Sequence, residues 1–207
     1  MKTANGLHIL RLGSVYAIGS LAINAVGVLL VPLYTAFLTP ADYGAVALLT
    51  LTANVLTRGI SGVAYHALSR FYYAPETRGR EGAMVLNLFL MTLLSSGIIT
   101  ALYFAFSLVL GHRLLGSEQW VPLVQLFGFV VFLMPLSDFC RSYLRVRERA
   151  GRVVVLGGCG VVSGAVCAVI LLLHFDAGVY AMGVASAVSS GVFLLGALWT
   201  MINEFQW

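Results

Sequence analysis

The chain has little charge. Only 10% of its 207 residues are Asp, Glu, Lys or Arg, whereas about a quarter of a typical water-soluble domain is charged. Hydrophobic residues make up 60% of the chain, and the mean hydropathy is +0.95. This composition excludes an ordinary water-soluble globular domain and is typical of a protein whose surface lies in lipid.

Cysteine is scarce, and its spacing excludes a disulfide framework. Cys159 and Cys167 share one predicted helix, Cys140 lies apart from them, and no C-x-x-C pair or Cys/His cluster occurs. The four histidines fall at predicted helix ends or in loops, and none lies beside a second ligand-type residue. We therefore expect neither a metal site nor a cofactor.

Recognisable catalytic motifs are missing as well. The G-x-S-x-G, H-E-x-x-H and phosphate-loop patterns do not occur. An intramembrane enzyme, such as a glycan polymerase or an acyltransferase, would need an acid, a base or a nucleophile with a partner at membrane depth. The predicted spans contain one arginine and no carboxylate or histidine well inside them. We expect that the protein is not an enzyme, and an intramembrane glycan-processing enzyme stays as an alternative.

Long apolar runs fill most of the chain. A helix needs about 20 apolar residues to cross the ~30 Å hydrocarbon core of a bilayer. Six segments are long enough, at 13–37, 43–66, 83–110, 119–138, 153–174 and 178–201. Strands of a membrane β-barrel are instead ~10-residue stretches of alternating polarity. The sequence therefore predicts an all-α membrane protein in which residues 1–207 form a single unit of six transmembrane helices.

The basic residues are concentrated on one side of the predicted spans. That side carries Lys2, Arg11, Arg70, Arg78, Arg80, Arg141, Arg145, Arg147, Arg149 and Arg152. The other side carries Arg113 alone. Because short loops rich in Lys and Arg stay in the cytoplasm, both termini are predicted to be cytoplasmic. The excess positive charge suits anionic lipid headgroups, and without a basic stripe outside the membrane-flanking loops we expect no nucleic-acid partner.

The sequence Thr39-Pro40-Ala41-Asp42 predicts the start of the second helix. Thr39 is suited to the N-cap position, Pro40 to the first helical position, and Asp42 to reach back to the cap. Small residues recur at helical spacing on the last two predicted helices: Gly157, Gly160 and Gly164, and Gly183, Ala187 and Gly191. Such spacing indicates close helix packing in a membrane.

A polar stripe follows one face of the second predicted helix. Its members are Thr50, Asn54, Thr57, Arg58, Ser61 and Tyr65, at spacings of three and four. A weaker stripe on the first predicted helix consists of Tyr16, Ser20, Asn24, Gly27, Val31 and Thr35, with Pro32 able to bend the helix. A charge at membrane depth usually faces a bundle interior or a wet cavity. We expect the two helices to line a cavity.

Arg58 is the candidate binding residue of this cavity. Its planar guanidinium can make two charge-assisted hydrogen bonds to a diphosphate. Alternatively, Arg58 pairs with a carboxylate or extends towards the interface, and Asn54 only holds helices together. Asp138 lies at the end of the fourth predicted span. We expect it to pair with Arg141 or Arg145 at that helix end, or alternatively to relay protons.

Three segments resemble those of a known transporter family. The first span, with Asn24 at mid-membrane, is followed by LTPADYG, residues 38–44. The second span ends in SGVAYHALSRFYY, residues 61–73, and the fourth loop reads RSYLRVRERAGRVVV, residues 141–155. These segments resemble the N-terminal half of polysaccharide flippases of the multidrug/oligosaccharidyl-lipid/polysaccharide (MOP) exporter superfamily, and the resemblance extends over essentially the whole chain.

The resemblance implies a fold, a function and partners. Members of this superfamily pair two six-helix lobes around an alternating-access cavity, so the chain is expected to be one lobe of such a MOP/MATE-like transporter, with a missing second lobe or a second copy as its partner. It implies flipping of a polyprenyl-diphosphate-linked oligosaccharide across the bacterial inner membrane, with a proton or sodium ion as the coupling ion. Arg58 would bind the diphosphate, and Asn24 and Asn54 the diphosphate or sugar. The alternatives are a cation-coupled multidrug exporter of the same superfamily and an inactive truncated fragment.

Overall fold

The structure is a computed structural model that describes residues 2–75, 79–175 and 177–204, with side chains except those of 2–12, 15, 16 and 204. It consists of seven α-helices. They are α1 (Lys2–Phe37), α2 (Pro40–Phe71), α3 (Glu81–Ala105), α4 (Ser107–Leu115), α5 (Val121–Val146), α6 (Ala150–His174) and α7 (Tyr180–Glu204). A short 3-10 helix, Glu118–Trp120, precedes α5.

Six helices of the described part are long and apolar enough to cross a membrane. The apolar segments are Ala17–Phe37, Pro40–Phe71, Glu81–Ala105, Glu118–Val146, Ala150–His174 and Tyr180–Asn203. This result confirms the prediction of an all-α membrane protein with six spanning helices. Helices suit the interior of a bilayer, because each helix pairs its own backbone N–H and C=O groups where no water is available.

Four helices end at positions that differ from the expected span limits. Helix α2 is expected to end at residue 66 but continues to Phe71, and α7 is expected to end at residue 201 but continues to Glu204. The third span is expected at 83–110, but α3 ends at Ala105 and is followed by the separate helix α4. Helix α4 ends at Leu115, and the next residue, Gly116, has a left-handed φ of 75°. The fourth span is expected to end at residue 138, but α5 continues to Val146. The added turns bury residues against the bundle, namely Phe139, Cys140, Ser142, Tyr143 and Leu144.

The start of α2 has the predicted capping box. The Asp42 backbone N–H donates to Thr39 Oγ1 at 3.3 Å, and the Thr39 backbone N–H donates to Asp42 Oδ2 at 2.8 Å. Pro40 occupies the first turn, where it lacks only a hydrogen bond that the helix does not make. These contacts confirm the predicted helix start and fix the short turn between α1 and α2.

Helix α5 forms the centre of the bundle. It packs against α7, α2 and α3, while α6 packs mainly on α7 and α1 mainly on α6. The most deeply buried large side chains include Phe127, Phe139 and Tyr143 of α5. Consequently α1 and α2, which are consecutive in the chain, belong to different sides of the bundle.

The loops next to the arginine-rich helix ends tie α2 to α5. We call the end of the bundle where α2 and α5 finish and α3 and α6 begin the basic end, and the opposite end the α4 end. Tyr73 donates its hydroxyl hydrogen to the Val146 carbonyl oxygen at 2.7 Å, and Arg147 Nη1 donates to the Tyr72 hydroxyl oxygen at 3.1 Å. Burial raises the pKa of Tyr72, and the nearby Arg147 charge opposes that increase. Of the basic residues predicted to be cytoplasmic, Lys2, Arg11 and Arg78 lie outside the residues described with side chains.

Candidate functional site

A groove runs between α1 and α2. Because α1 packs on α6 and α2 on α5, the two helices form its walls and α5, α6 and α7 form its floor. The groove encloses a cavity of about 450 Å³. Near the α4 end the walls approach each other, since Tyr34 of α1, Leu38 of the following turn and Val46 of α2 belong to one buried apolar cluster. A cavity between the first two helices is therefore present, as the two polar stripes indicate.

The groove is apolar with a few polar groups. Apolar lining residues include Leu30, Val46, Phe127, Val130 and Met134. Its polar lining residues are Tyr34, Thr50, Asn54, Ser186, Ser189 and Ser190. An apolar cavity with a small number of polar side chains is the usual form of a small-molecule binding site.

Asn54 lies in the α2 wall of this groove. Its Nδ2 donates to the Thr50 backbone oxygen at 2.8 Å. That bond fixes the orientation of the amide and leaves its Oδ1 without a hydrogen-bond partner among the described residues. Thr57, another member of the polar stripe, is buried against α5, where its hydroxyl donates to the Ala53 backbone oxygen and contacts Met134 Sδ at 3.6 Å. The stripe therefore divides between the groove and the α2–α5 contact.

Arg58 lies one helical turn from Asn54, nearer the basic end. It is about 27 Å from the first residue of α2, at ~1.5 Å per residue. Its side chain is exposed and is not among the residues that line the 450 Å³ cavity. Its guanidinium has no hydrogen-bond or ion-pair partner within the described part of the chain. Arg58 is therefore an exposed residue of α2 outside the cavity lining, one turn nearer the basic end than Asn54.

Asn24 is also exposed and does not line the cavity. The α1 wall is formed instead by Gly27, Leu30 and Tyr34. Thr35, from the same predicted stripe, donates its hydroxyl hydrogen to the Pro32 backbone oxygen at 2.9 Å, and the Tyr16 side chain lies outside the described residues. The structure therefore brings Asn54 to the groove and places Arg58 and Asn24 on exposed surfaces of its two walls.

A second cavity, of about 170 Å³, adjoins the groove on the side of the basic end. Both cavities are lined by Met134, Val161, Ser189 and Ser190, so they are neighbours. The smaller one contains two ionisable side chains of α5, Asp138 and Arg141, which we call the α5 charge pair. The sequence interpretation placed these residues at or beyond the end of a span, but α5 continues past both.

The α5 charge pair is held by its neighbours on α2 and α7. Asp138 Oδ2 accepts a hydrogen bond from Ser61 Oγ at 3.1 Å, so its partner is a hydroxyl of α2 rather than a guanidinium. The Arg141 guanidinium lies over the Phe193 ring of α7, with Cζ 4.5 Å from the ring centroid. Arg141 Nε is buried without a hydrogen-bond partner.

A signal for the α5 charge pair was present in the sequence. Leu136, Phe139, Cys140, Tyr143 and Leu144 continue the apolar spacing of three and four beyond residue 138. This spacing, continued past Asp138 and Arg141, predicts a longer fourth span. No group of three or more His, Cys, Asp or Glu side chains that could hold a metal ion occurs among the residues that the structure describes.

Comparison with known proteins identifies the family of the chain. No curated protein and no solved structure matches it. A family model described as "Polysaccharide biosynthesis protein" matches residues 34–205. This match includes α2 to α7, the last residues of α1 and most of the groove lining. The chain therefore belongs to this family of polysaccharide biosynthesis proteins.

Proposed function

We propose that the chain forms one lobe of a flippase that moves a polyprenyl-diphosphate-linked oligosaccharide across the bacterial inner membrane for polysaccharide export. The observation that carries the proposal is the groove between α1 and α2 in a multi-pass protein of the polysaccharide biosynthesis family. Its polar side chains lie in a bundle whose outer surface is apolar. Such a groove gives a polar headgroup a route while the polyprenyl chain remains in lipid.

Arg58 is the proposed diphosphate-binding residue. A guanidinium offers five N–H donors in a planar fork and keeps its charge at every physiological pH. At membrane depth an unpaired cation is costly, so a dianionic headgroup that reaches it gains a strong interaction. Asn54, one turn away, and Asn24, on the opposite wall, offer amide groups to the diphosphate or to sugar hydroxyls.

A second helical unit opposite the groove would complete the transport path. Many residues on the outward surfaces of α1 and α2 are exposed and apolar, among them Leu21, Leu29, Val55 and Val63. In the proposed transporter a second six-helix unit, or a second copy of this chain, faces these surfaces and closes the groove. The proton or sodium coupling that the resemblance implies belongs to this complete assembly.

Substitution of Arg58 tests the proposed function. The complete transporter, carrying Arg58→Gln, is reconstituted into vesicles with a fluorescent polyprenyl diphosphate saccharide, and the fraction reaching the other leaflet is followed by quenching. Charge-assisted hydrogen bonds contribute about 1.5–3 kcal/mol, so we expect headgroup affinity to fall at least about tenfold and the flipping rate to fall with it.

Arg70→Gln is the matched control for this experiment. Arg70 lies on the same helix at the basic end, where its guanidinium is 5.5 Å from the Phe71 ring centroid. We expect Arg70→Gln to keep wild-type flipping. Wild-type rates in Arg58→Gln, at equal protein levels, would show that Arg58 does not bind the headgroup.

A cation-coupled drug exporter is the second candidate, and one observation favours it. Such an exporter needs a carboxylate inside the membrane-spanning part, and Asp138 lies inside α5 rather than beyond its end. Expression in a strain without its own drug pumps distinguishes the candidates. Drug resistance that is lost in Asp138→Asn would support the exporter, whereas unchanged drug sensitivity together with glycan export would support the flippase.

A further inference from the structure

The 170 Å³ cavity beside the groove contains a carboxylate and a guanidinium that the proposed diphosphate site does not include. We propose that the α5 charge pair, Asp138 and Arg141, binds one uncharged sugar ring of the lipid-linked saccharide in this cavity. The identity of the lipid carrier rests on the proposed function. The character of the cavity as a polyhydroxyl site rests on its own side chains.

The charges of the cavity argue for an uncharged ligand. Asp138 and Arg141 are three residues apart on α5, so their Cβ atoms are about 5–6 Å apart on one helix face. A phosphate near Arg141 would be repelled by Asp138, and a cation near Asp138 would be repelled by Arg141. A sugar ring carries no charge and is repelled by neither group.

The hydrogen-bonding capacity of the cavity matches hydroxyl groups. Each sugar hydroxyl both donates and accepts, an ionised carboxylate only accepts, and a guanidinium only donates. Asp138 uses Oδ2 for the Ser61 hydroxyl, and Oδ1 has no hydrogen-bond partner among the described residues. Arg141 makes no hydrogen bond within the described part of the chain. One acceptor and one donor group are therefore available side by side.

Buried polar groups without partners are rare in proteins. Arg141 Nε is such a group, while stacking on Phe193 positions the guanidinium without using its N–H donors. Ser189 and Ser190 of α7 also line the cavity and add hydroxyl groups. A ligand with several hydroxyls would satisfy these groups together.

Size and position fit a single ring next to the diphosphate. At about 170 Å³ the cavity is smaller than the ~300–1,000 Å³ pockets of drug-sized ligands, so it suits one sugar rather than an oligosaccharide. Ser61, which contacts Asp138, is three residues beyond Arg58 on α2, a rise of about 4.5 Å. The sugar that is attached to a diphosphate at Arg58 would therefore reach the α5 charge pair.

Binding measurements on the complete protein in detergent test this inference. The probes are polyprenyl diphosphate alone and the same lipid carrying one sugar from a panel of neutral hexoses and N-acetylhexosamines. We expect at least one sugar-bearing lipid to bind about tenfold more tightly than the bare lipid, as one charge-assisted hydrogen bond would allow. Asp138→Asn and Arg141→Gln should abolish this difference and leave the affinity for the bare lipid within about twofold of wild type.

Three further variants keep the result interpretable. Arg145→Gln alters the next arginine along α5, outside the cavity, and should keep the tenfold difference. Gly157→Ala adds a methyl group to the cavity wall, where its Cβ would lie 3.2 Å from Ile23 Cδ1, and should reduce sugar preference without changing a charge. Arg58→Gln should weaken binding of both lipids equally, which separates the diphosphate site from the sugar site.

The outcomes separate the two proposals. If Asp138→Asn and Arg141→Gln fold and keep the wild-type sugar preference, or if no sugar in the panel is preferred, the sugar site is wrong. If wild type binds neither lipid, the flippase proposal fails, and binding of free methyl glycosides that Asp138→Asn abolishes would support the sugar site alone. If wild type binds neither lipid and no methyl glycoside, both the flippase proposal and the sugar site are wrong. Binding of inorganic phosphate or Na⁺ in place of glycosides, lost in the same variants, would make the cavity an ion site and contradict the inference.

Discussion

The hydroxyl group of Ser96 joins α3 to the central helix. Ser96 is fully buried, and its Oγ donates to the Phe132 backbone oxygen of α5 at 2.7 Å. The Phe132 oxygen lies inside α5, where it also accepts a backbone hydrogen bond of its own helix. Replacing the serine therefore removes an interhelical bond without leaving a buried acceptor unpaired.

We expect Ser96→Ala to lower the free energy of unfolding by about 0.6 kcal/mol, the average for interhelical hydrogen bonds in membrane proteins. Unfolding in mixed micelles, followed by circular dichroism, measures the change. Ser163→Ala is the matched control, because the Ser163 hydroxyl bonds only to the Cys159 oxygen of its own helix, at 2.7 Å. An equal loss in both variants would contradict a specific α3–α5 contribution.

Single residues also show what spacing can and cannot predict. The spacing of polar residues along α2 places Asn54 on one face of the helix, and in the structure it lies in the groove. The same spacing put Thr57 in that stripe, yet Thr57 packs on α5 because the stripe is wider than the groove. The charges of Asp138 and Arg141 predict a helix end, since charged residues are rare inside a span. The apolar spacing of Phe139, Cys140 and Tyr143 beyond residue 138, and their burial in the structure, show that the helix continues.

Helices α6 and α7 are held together by backbone approach rather than by large side chains. A Cβ on Gly160 would lie 2.7 Å from the Ser189 backbone oxygen, and one on Gly164 would lie 2.7 Å from the Ala185 backbone oxygen. Small residues permit this approach in membranes. The small-residue spacing of α6 predicts close helix packing, and the structure shows that the partner is α7. On α7 the outcome differs by residue, since Gly183 approaches Leu126 of α5 and Gly191 has open space beside it.

We expect Gly160→Ala to destabilise the protein by about 1–3 kcal/mol, the usual cost of overpacking, because the methyl group meets backbone that cannot rotate away. Gly158→Ala lies on the same helix with no atom within 4 Å of the added Cβ. This control should be neutral or slightly stabilising, since alanine is the better helix former. Comparable thermal stability of the two variants would show that the α6–α7 contact is looser than described.

For the whole molecule, the number and class of the helices followed from the sequence, but their arrangement did not. Apolar length defines a span by itself, because a helix in lipid must cover about 30 Å. Which spans touch depends on side-chain shapes on two helices at once, and the position of α5 at the centre is such a property. The groove arises from that arrangement, so its floor on α7, with Ser186, Ser189 and Ser190, could not be read from the stripes of α1 and α2.

The charge asymmetry predicts the orientation of the whole bundle. In a cysteine-free variant, Gln119→Cys places a thiol on the exposed 3-10 helix at the α4 end, and Gly151→Cys places one near the start of α6 at the basic end. We expect a membrane-impermeant maleimide to label Gln119→Cys in intact cells and Gly151→Cys only after permeabilisation. The reverse pattern would show that the basic end faces outwards.

The packing of α1 on α6 affects how the protein is made. The ribosome completes α1 at Phe37, but α6 does not begin until Ala150. At ~5–20 residues per second, α1 waits on the order of 10 s in the bilayer before its main partner exists. During that time it has to remain inserted through its own apolar surface, and it joins the bundle late, after α2, α3 and α5 have been able to associate. Truncation before Ala150 should therefore release a biosynthetic intermediate whose first helix is exposed to membrane quality-control proteases.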